Sequence, residues 1–277
     1  MTTLTYLGTN TLLFRKGDAA LLIDPHFTRP GLLALFGKLS PKPRIIREAL
    51  HAIALDNCLG IALTHTHYDH ALDAPETARQ TGGLLIGSDS AINLARGADL
   101  EPSHFRAVAA GDSLSLGPFL LRFHPARHLP FPLPLQRLLP PQGKIARPLR
   151  PPARMTAYQA GATFALQVNS ILIFGSAGFE PGACDGLSIN TVILSVGGLE
   201  LRPQTYLDRL YTETVLASCA RRVFLSHWDN FLRPFSAEPR PLLSVGQSIH
   251  RLKALGEKHG QSIRSLPIKT PVEVPKG

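Results

Sequence analysis

The sequence predicts an α/β protein, and three observations carry that expectation. Short apolar runs bounded by Gly, Pro, Asn or Asp recur along the chain, at Ala19–Ile23, 60–64 and 84–86 among others; buried strands read this way. Stretches of helical composition alternate with them from residue 71 onward. The length, 277 residues with 44% apolar content, suffices for a substantial core in one large domain or two small ones. Two sheets covered by helices fit this order, though pattern alone leaves other α/β layouts open.

Residues 3–14 and Ala19–Ile23 read as two strands joined by a turn near Lys16-Gly17-Asp18, the second stopped by Asp24-Pro25. Breakers follow at Pro30, Gly31, Gly37, Pro41 and Pro43, then a short helix over 45–57. A buried strand, 60–64, delivers the chain into His65. Helical composition over 71–81 ends at Gly82-Gly83; 84–86 is a strand and 89–96 a helix. Residues 108–116 and 119–123 form a strand pair about Gly117-Pro118, and 163–168 with 170–174 a hairpin about Asn169. A strand over 191–196, a helix over 204–220 and a strand over 222–226 ending at His227 come next. An amphipathic helix over 243–259 and a strand around 268–274 close the chain. Between 129 and 152 eight prolines interleave with leucines and arginines. That composition excludes a central strand or a long helix and predicts an irregular insertion at about 129–157 in a single domain of 1–277. Its start beside His128 makes it a candidate lid, and an insertion packed on the body or on a second subunit fits the composition equally.

Composition narrows the function classes. No apolar run approaches the roughly 20 residues of a membrane helix, and residues 1–17 lack the pattern of a signal peptide, so a cytoplasmic protein is expected. Cys58, Cys184 and Cys219 are far apart and odd in number, which predicts free thiols rather than disulfides or a cysteine metal site. Lys and Arg number 29 against 20 Asp and Glu, and no acidic residue lies between Asp112 and Glu180. Such a one-sign stretch attracts anions. The interleaved basic and aromatic pattern of a nucleic-acid groove is absent, so nucleic acid is not the expected partner.

The chemistry concentrates in His65-Thr66-His67-Tyr68-Asp69-His70. Imidazole and carboxylate suit zinc and related divalent ions. His65 and His67, two apart, point to one side of an extended chain, while Asp69 and His70 lie past the bend and can turn to a neighbouring point. The spacing thus offers ligands to two ions, which in catalytic pairs sit about 3.5–4 Å apart.

His-x-His-x-Asp-His after an apolar strand ending in Thr resembles the signature of the metallo-β-lactamase superfamily. Leu22-Ile23-Asp24-Pro25 resembles that family's early strand ending in Asp, and Pro125-Ala126-Arg127-His128 and Leu225-Ser226-His227-Trp228 resemble its later His-bearing strand ends, in matching order and separation. The resemblance implies a four-layer αββα sandwich with metals at the sheet edges. Its nearest branch is the one holding ascorbate-phosphate lactonase and N-acyl-phosphatidylethanolamine phospholipase D. Carried over, His65, His67 and His128 bind a first ion, with His124 the competitor of His128. Asp69, His70 and His227 bind a second, and Asp24 orients a ligand or water. The departure is Ser176. It stands in Phe174-Gly175-Ser176-Ala177-Gly178-Phe179, where the family places an Asp that bridges both ions. Asp229 and Glu180 are the candidate substitutes, or one ion suffices, or an anionic group of the substrate completes the pair.

The resemblance implies a metallo-hydrolase whose metal-activated water attacks a phosphodiester, lactone or related ester. Asp69 would accept a hydrogen bond from the nucleophile and return a proton to the leaving group. Zinc is the first candidate cofactor, with manganese and iron also suited. The expected substrate is a small or lipid-like anion with an apolar part; a homo-oligomer is compatible with the sequence. The alternatives are a nuclease or RNA-processing phosphodiesterase, and a metal-binding protein with weak or lost catalysis on account of Ser176.

Overall fold

The computed structural model describes residues 2–55, 57–130, 142–242 and 245–274. Its first three strands, β1 (Thr2–Gly8), β2 (Thr11–Lys16) and β3 (Ala19–Ile23), form an antiparallel meander. The expected strand over 3–14 is therefore two strands. Gly8 and Thr9 adopt positive φ (95° and 55°) and turn the chain back between them, a break that the apolar and Thr-rich composition conceals.

The chain continues through β4 (Lys38–Leu39), α1 (Pro43–Ala52), β5 (Cys58–Ala62), α2 (Tyr68–Ala71), α3 (Ala74–Thr81), β6 (Leu84–Gly87), α4 (Asp89–Gly97) and β7 (Phe105–Ala107). Pro43 starts α1, where its missing N–H costs nothing, and Gly82 ends α3 in the left-handed conformation. A hairpin of β8 (Ser113–Leu116) and β9 (Phe119–Ala126) opens the second half, so the expected strand from 108 starts only at Ser113. Then come β10 (Ala153–Arg154), β11 (Thr163–Val168), β12 (Ile171–Phe174), β13 (Thr191–Ser195), α5 (Gln204–Tyr211), β14 (Arg222–Ser226), α6 (Val245–His259), β15 (Ser262–Ser265) and β16 (Pro271–Val274). The helix expected over 204–220 stops being α-helical at Tyr211 and continues as a π-turn over Thr212–Leu216. There the Thr214 and Ser218 hydroxyls bond back to the carbonyls four residues earlier.

The strands form two sheets of seven, ordered β16-β1-β2-β3-β5-β6-β7 and β15-β14-β13-β12-β11-β9-β8, with β4 and β10 as a separate ribbon. Period-two alternation sorts their side chains into three apolar layers. In β3, Leu21 and Ile23 face the second sheet, while Ala20 and Leu22 face α1, α3 and α4. In β12, Ile171 and Ile173 face the first sheet, while Leu172 and Phe174 face α5 and α6. Strands buried on both faces must be apolar throughout, hence the unbroken run Ala-Ala-Leu-Leu-Ile. The architecture is a four-layer αββα sandwich. Among the described residues no helix is long and apolar enough to cross a membrane.

Much of the Pro-rich insertion, 131–141, lies outside the described residues. The described part is laid on the body: Asn93 Nδ2 donates to the Ile145 carbonyl (2.7 Å), and Leu149 N donates to the Asn93 carbonyl (3.0 Å).

One buried carboxylate pins the segment that leaves β3. Asp73, between α2 and α3, accepts from the Phe27 and Thr28 backbone N–H groups (2.6 Å each) and from the Thr28 hydroxyl (2.5 Å). Asp73→Ala would leave those donors buried without acceptors. We expect it to lower unfolding free energy by about 3 kcal/mol in urea titration.

Candidate metal centre

The candidate ligands leave the same edge of the sandwich. In the first sheet β3 ends just before Asp24, and β5 leads to His65, His67 and α2, which carries Asp69 and His70. In the second sheet β12, β13 and β14 are parallel, and β9 runs with them because both β9 and β12 are antiparallel to β11. His128, Ser176 and His227 therefore follow strand ends at one rim. The carboxyl ends of parallel strands are where α/β sheets hold ligands.

Three groups of side chains converge there: His65, His67 and His128; Asp69, His70 and His227; and Asp24, His65 and His70. Within each, one donor atom per residue lies within 4.8 Å of the others. The rings of His65 and His70 are 4.0 Å apart and those of His67 and His128 4.4 Å, so the groups adjoin.

Hydrogen bonds fix which nitrogen His65, His70 and His128 present. Asp24 Oδ2 accepts from the Thr64 hydroxyl (2.5 Å), so the Thr64 oxygen accepts from His65 Nδ1 (3.1 Å). His65 Nε2 is then buried with no hydrogen-bond partner among the described residues. His70 Nδ1 donates to Asp24 Oδ2 (2.8 Å), leaving Nε2 toward Asp69 Oδ2 at 3.6 Å. His128 Nδ1 donates to the Leu129 carbonyl (2.9 Å), and its Nε2 faces His67 Nδ1 at 3.1 Å. His227 Nε2 lies 3.2 Å from Asp69 Oδ2. A buried imidazole with an unpartnered inward nitrogen, amid four more rings and one carboxylate, is a donor set suited to a divalent cation.

Electrostatics agree. Burial and the neighbouring rings of His70, His67 and His128 hold His65 well below its ordinary range, and burial with His67 pushes His128 down to about 3. Both are neutral and can offer lone pairs. Burial opposes the charge on Asp69, yet His70 and His227 hold its pKa well below the carboxylate range. Burial also opposes a charge on His70, but Asp69 and Asp24 raise its pKa.

Comparison with known proteins places this architecture. The model of the metallo-beta-lactamase superfamily matches residues 4–140. Over that stretch, close to half of its length, the chain is similar to the metallo-β-lactamase superfamily. A metal-dependent hydrolase of Christiangramia forsetii is 32% identical over 90 residues, 32% of this chain and 34% of that protein. One of Agrobacterium fabrum is 34% identical over 86 residues, 31% of each chain. The matches thus span about a third of these relatives' length. Among solved structures, Igni18, a metallo hydrolase from Ignicoccus hospitalis, superposes with a TM-score of 0.60 at 15% identity, covering 99% of both chains. YhfI of Bacillus subtilis, a metallo-beta-lactamase fold protein, gives 0.57 at 15% identity over 99% of this chain and 100% of that one.

Within this fold, the carboxylates considered as replacements for a bridging Asp stand elsewhere. Ser176 lines the cavity over the cluster, but its hydroxyl accepts from Leu129 N (3.0 Å). Asp229 is not brought to the cluster: Tyr6 (2.6 Å), Thr9 N (2.7 Å) and Arg29 (3.1 Å) take its oxygens. Glu180 is paired with Arg127 through two bonds of 2.5 and 2.8 Å. His124 bonds Gln167 Oε1 (2.8 Å) on the sheet and joins none of the three groups. Among the described residues Asp69 is thus the sole carboxylate grouped with His70 and His227.

Sequence reasoning overlooked the residues that hold the cluster in place. The Tyr6 hydroxyl donates to Asp229 and accepts from the backbone N–H of His227 (2.9 Å), whose φ is 57°. Asn10 donates to Asp24 (2.8 Å) and accepts from the Ser226 hydroxyl (2.8 Å). Gly197 and Gly175 permit close approach, since a Cβ on either would meet His227 Nδ1 at 2.8 Å or Thr64 Oγ1 at 2.0 Å. His26 is fully buried against Tyr68 with neither nitrogen partnered among the described residues, and burial pushes its pKa down to about 3. Its place two residues past Asp24 was the available signal.

Asp24 reaches His70 directly and His65 through Thr64. Asp24→Ala should weaken divalent-ion affinity about 10–100-fold, read by competition against a chromophoric chelator. Unchanged affinity would mean that Asp24 is scaffold alone.

Proposed function

We propose that this chain is a metal-dependent hydrolase, with His65, His67 and His128 holding one divalent ion and Asp69, His70 and His227 forming a second position. The observation that carries this reading is the pair of adjoining three-residue groups, one from each half of the signature, at the floor of a cavity of about 580 Å³. Zinc is the first candidate, with manganese and iron also suited. When bound, such an ion supplies acidification of a water toward neutral pH and polarisation of the oxygen under attack.

The chain's own residues supply the rest. Asp69, kept ionised by His70 and His227, is placed to accept a hydrogen bond from the attacking water and pass a proton to the leaving group. Asp24 fixes the His70 ring. Phe36, Phe231, Leu232 and Leu242 line the cavity and limit bulk water. These walls favour a phosphodiester, lactone or related ester with an apolar part, as in the branch of ascorbate-phosphate lactonase and N-acyl-phosphatidylethanolamine phospholipase D. They speak against the nuclease reading, which rests on net charge alone. The relatives carrying the name metal-dependent hydrolase support the reaction class. Free Cys58, Cys184 and Cys219 support a reducing compartment such as the cytoplasm.

Ser176 sets the stoichiometry in this reading. With Asp69 the one carboxylate described in the Asp69, His70 and His227 group, the second position binds its ion weakly. Protein purified without chelators should hold close to one ion by atomic emission, and Ser176→Asp should hold two. Asp69→Ala should retain the tight ion and lose activity about a thousandfold on an ester and phosphodiester panel; His128→Ala should lose the ion. Two tight ions in the unsubstituted chain would refute the single-ion account. No ion, or an ion indifferent to His65→Ala and His128→Ala, would refute the metal centre itself.

A further inference from the structure

The large apolar side chains standing exposed among the described residues are Leu32, Leu33, Phe36 and Leu201, at 59, 86, 83 and 45% exposure. Exposed leucines scattered singly need no explanation, but a cluster does. Leu32–Phe36 is one 3-10 turn between Gly31 and Gly37, anchored through Leu35, which packs on the first apolar layer. Leu32, Phe36 and Leu201 line the mouth of the metal cavity. Leu33, the most exposed of them, is not among its lining residues, so a group bound in the cavity would leave it in water.

Directly behind this turn the ribbon of β4 and β10 sets Lys38 opposite Arg154, both exposed. Like charges directly opposed in a ladder are destabilising. None of the ion pairs among the described residues includes either side chain. Met155, the next residue after Arg154, lines the same cavity. Apolar tips and a cation pair outside any of these ion pairs therefore border one opening, with Glu200 on the cavity wall beside Leu201.

We infer that this face docks on an anionic lipid surface, with Leu33 and Phe36 entering the acyl boundary and Lys38 and Arg154 meeting the headgroups. Apolar insertion combined with basic residues at the rim is the physical requirement for such binding. A second copy of the chain fits less well, because a two-fold contact centred on the patch would bring the cation pairs of both copies together. Docking stands independently of the hydrolase reading. Joined to that reading, it makes the substrate an amphiphile drawn from the surface into the cavity mouth.

The test is sedimentation with vesicles of phosphatidylcholine alone and of phosphatidylcholine mixed with phosphatidylglycerol, over a range of salt. The unsubstituted chain is expected to partition onto the mixed vesicles and to lose binding as salt rises. Leu33→Asp should weaken partition at least about tenfold, and Lys38→Glu or Arg154→Glu about fivefold each with a shallower salt dependence. Metal content and turnover of a short water-soluble ester should stay at the starting level in Leu33→Asp and Lys38→Glu. Vesicle binding without turnover would leave the docking intact while removing the hydrolase reading. Absence of partition onto mixed vesicles, or partition of Leu33→Asp and Lys38→Glu unchanged from the unsubstituted chain, would overturn the proposal. Self-association abolished by Leu33→Asp without vesicle binding would overturn it in favour of a second copy.

Discussion

Asp24 takes four hydrogen bonds at zero exposure, from the Asn10 amide, the Thr64 backbone and hydroxyl, and His70 Nδ1. A carboxylate cannot sit in such a place unless its oxygens are satisfied, and satisfying them fixes everything around it. Through Thr64 it sets the ring of His65; through His70 it sets the neighbouring position; through Asn10 it reaches Ser226 at the end of β14 in the other sheet. The two sheets are thus registered at the site by a polar chain, while the apolar layer between them supplies cohesion without fixing register.

A second buried polar unit does the same for the loop after β14. Arg29 and Asp229 pair at 3.1 Å with 7% and 1% exposure, and Tyr6 links the pair to the backbone of His227. Such pairs add little net stability, but breaking one leaves an uncompensated charge. Here the pair joins the segment leaving β3 to the loop that carries His227. A Cβ at Gly8 would meet Arg29 Nη2 at 2.1 Å, so the turn that divides β1 from β2 is also the space into which Arg29 fits.

Legibility from sequence followed locality. His65, His67, Asp69 and His70 are visible because one strand end and one bend carry them all. His128 and His227 are visible only through resemblance to a family, as nothing local distinguishes His128 from His124. Strands such as β3 and β14 were readable because burial on both faces leaves an unbroken apolar run. The division of 3–14 was not, because a tight turn at Gly8 and Thr9 leaves the composition strand-like. The strands β7 and β15 escaped notice because their half-exposed residues, Phe-Arg-Ala and Ser-Ile-Arg-Ser, lack an apolar run. Tyr6, Asn10 and Arg29 act on residues about 200 positions away, and no spacing rule spans that distance. Asp229 illustrates the converse: adjacency to His227 in sequence made it a plausible ligand, while its oxygens face the scaffold.

His67 and His128 meet across 61 residues of chain and from opposite sheets. A cation gripped there would act as a rivet between the two halves of the sandwich, closing a long loop that the apolar interior alone holds shut. Its removal would leave each sheet's own ladders intact and lower the barrier to their parting. The outcome of chelation is then a shorter lifetime of the folded chain, with little loss of secondary structure before it opens.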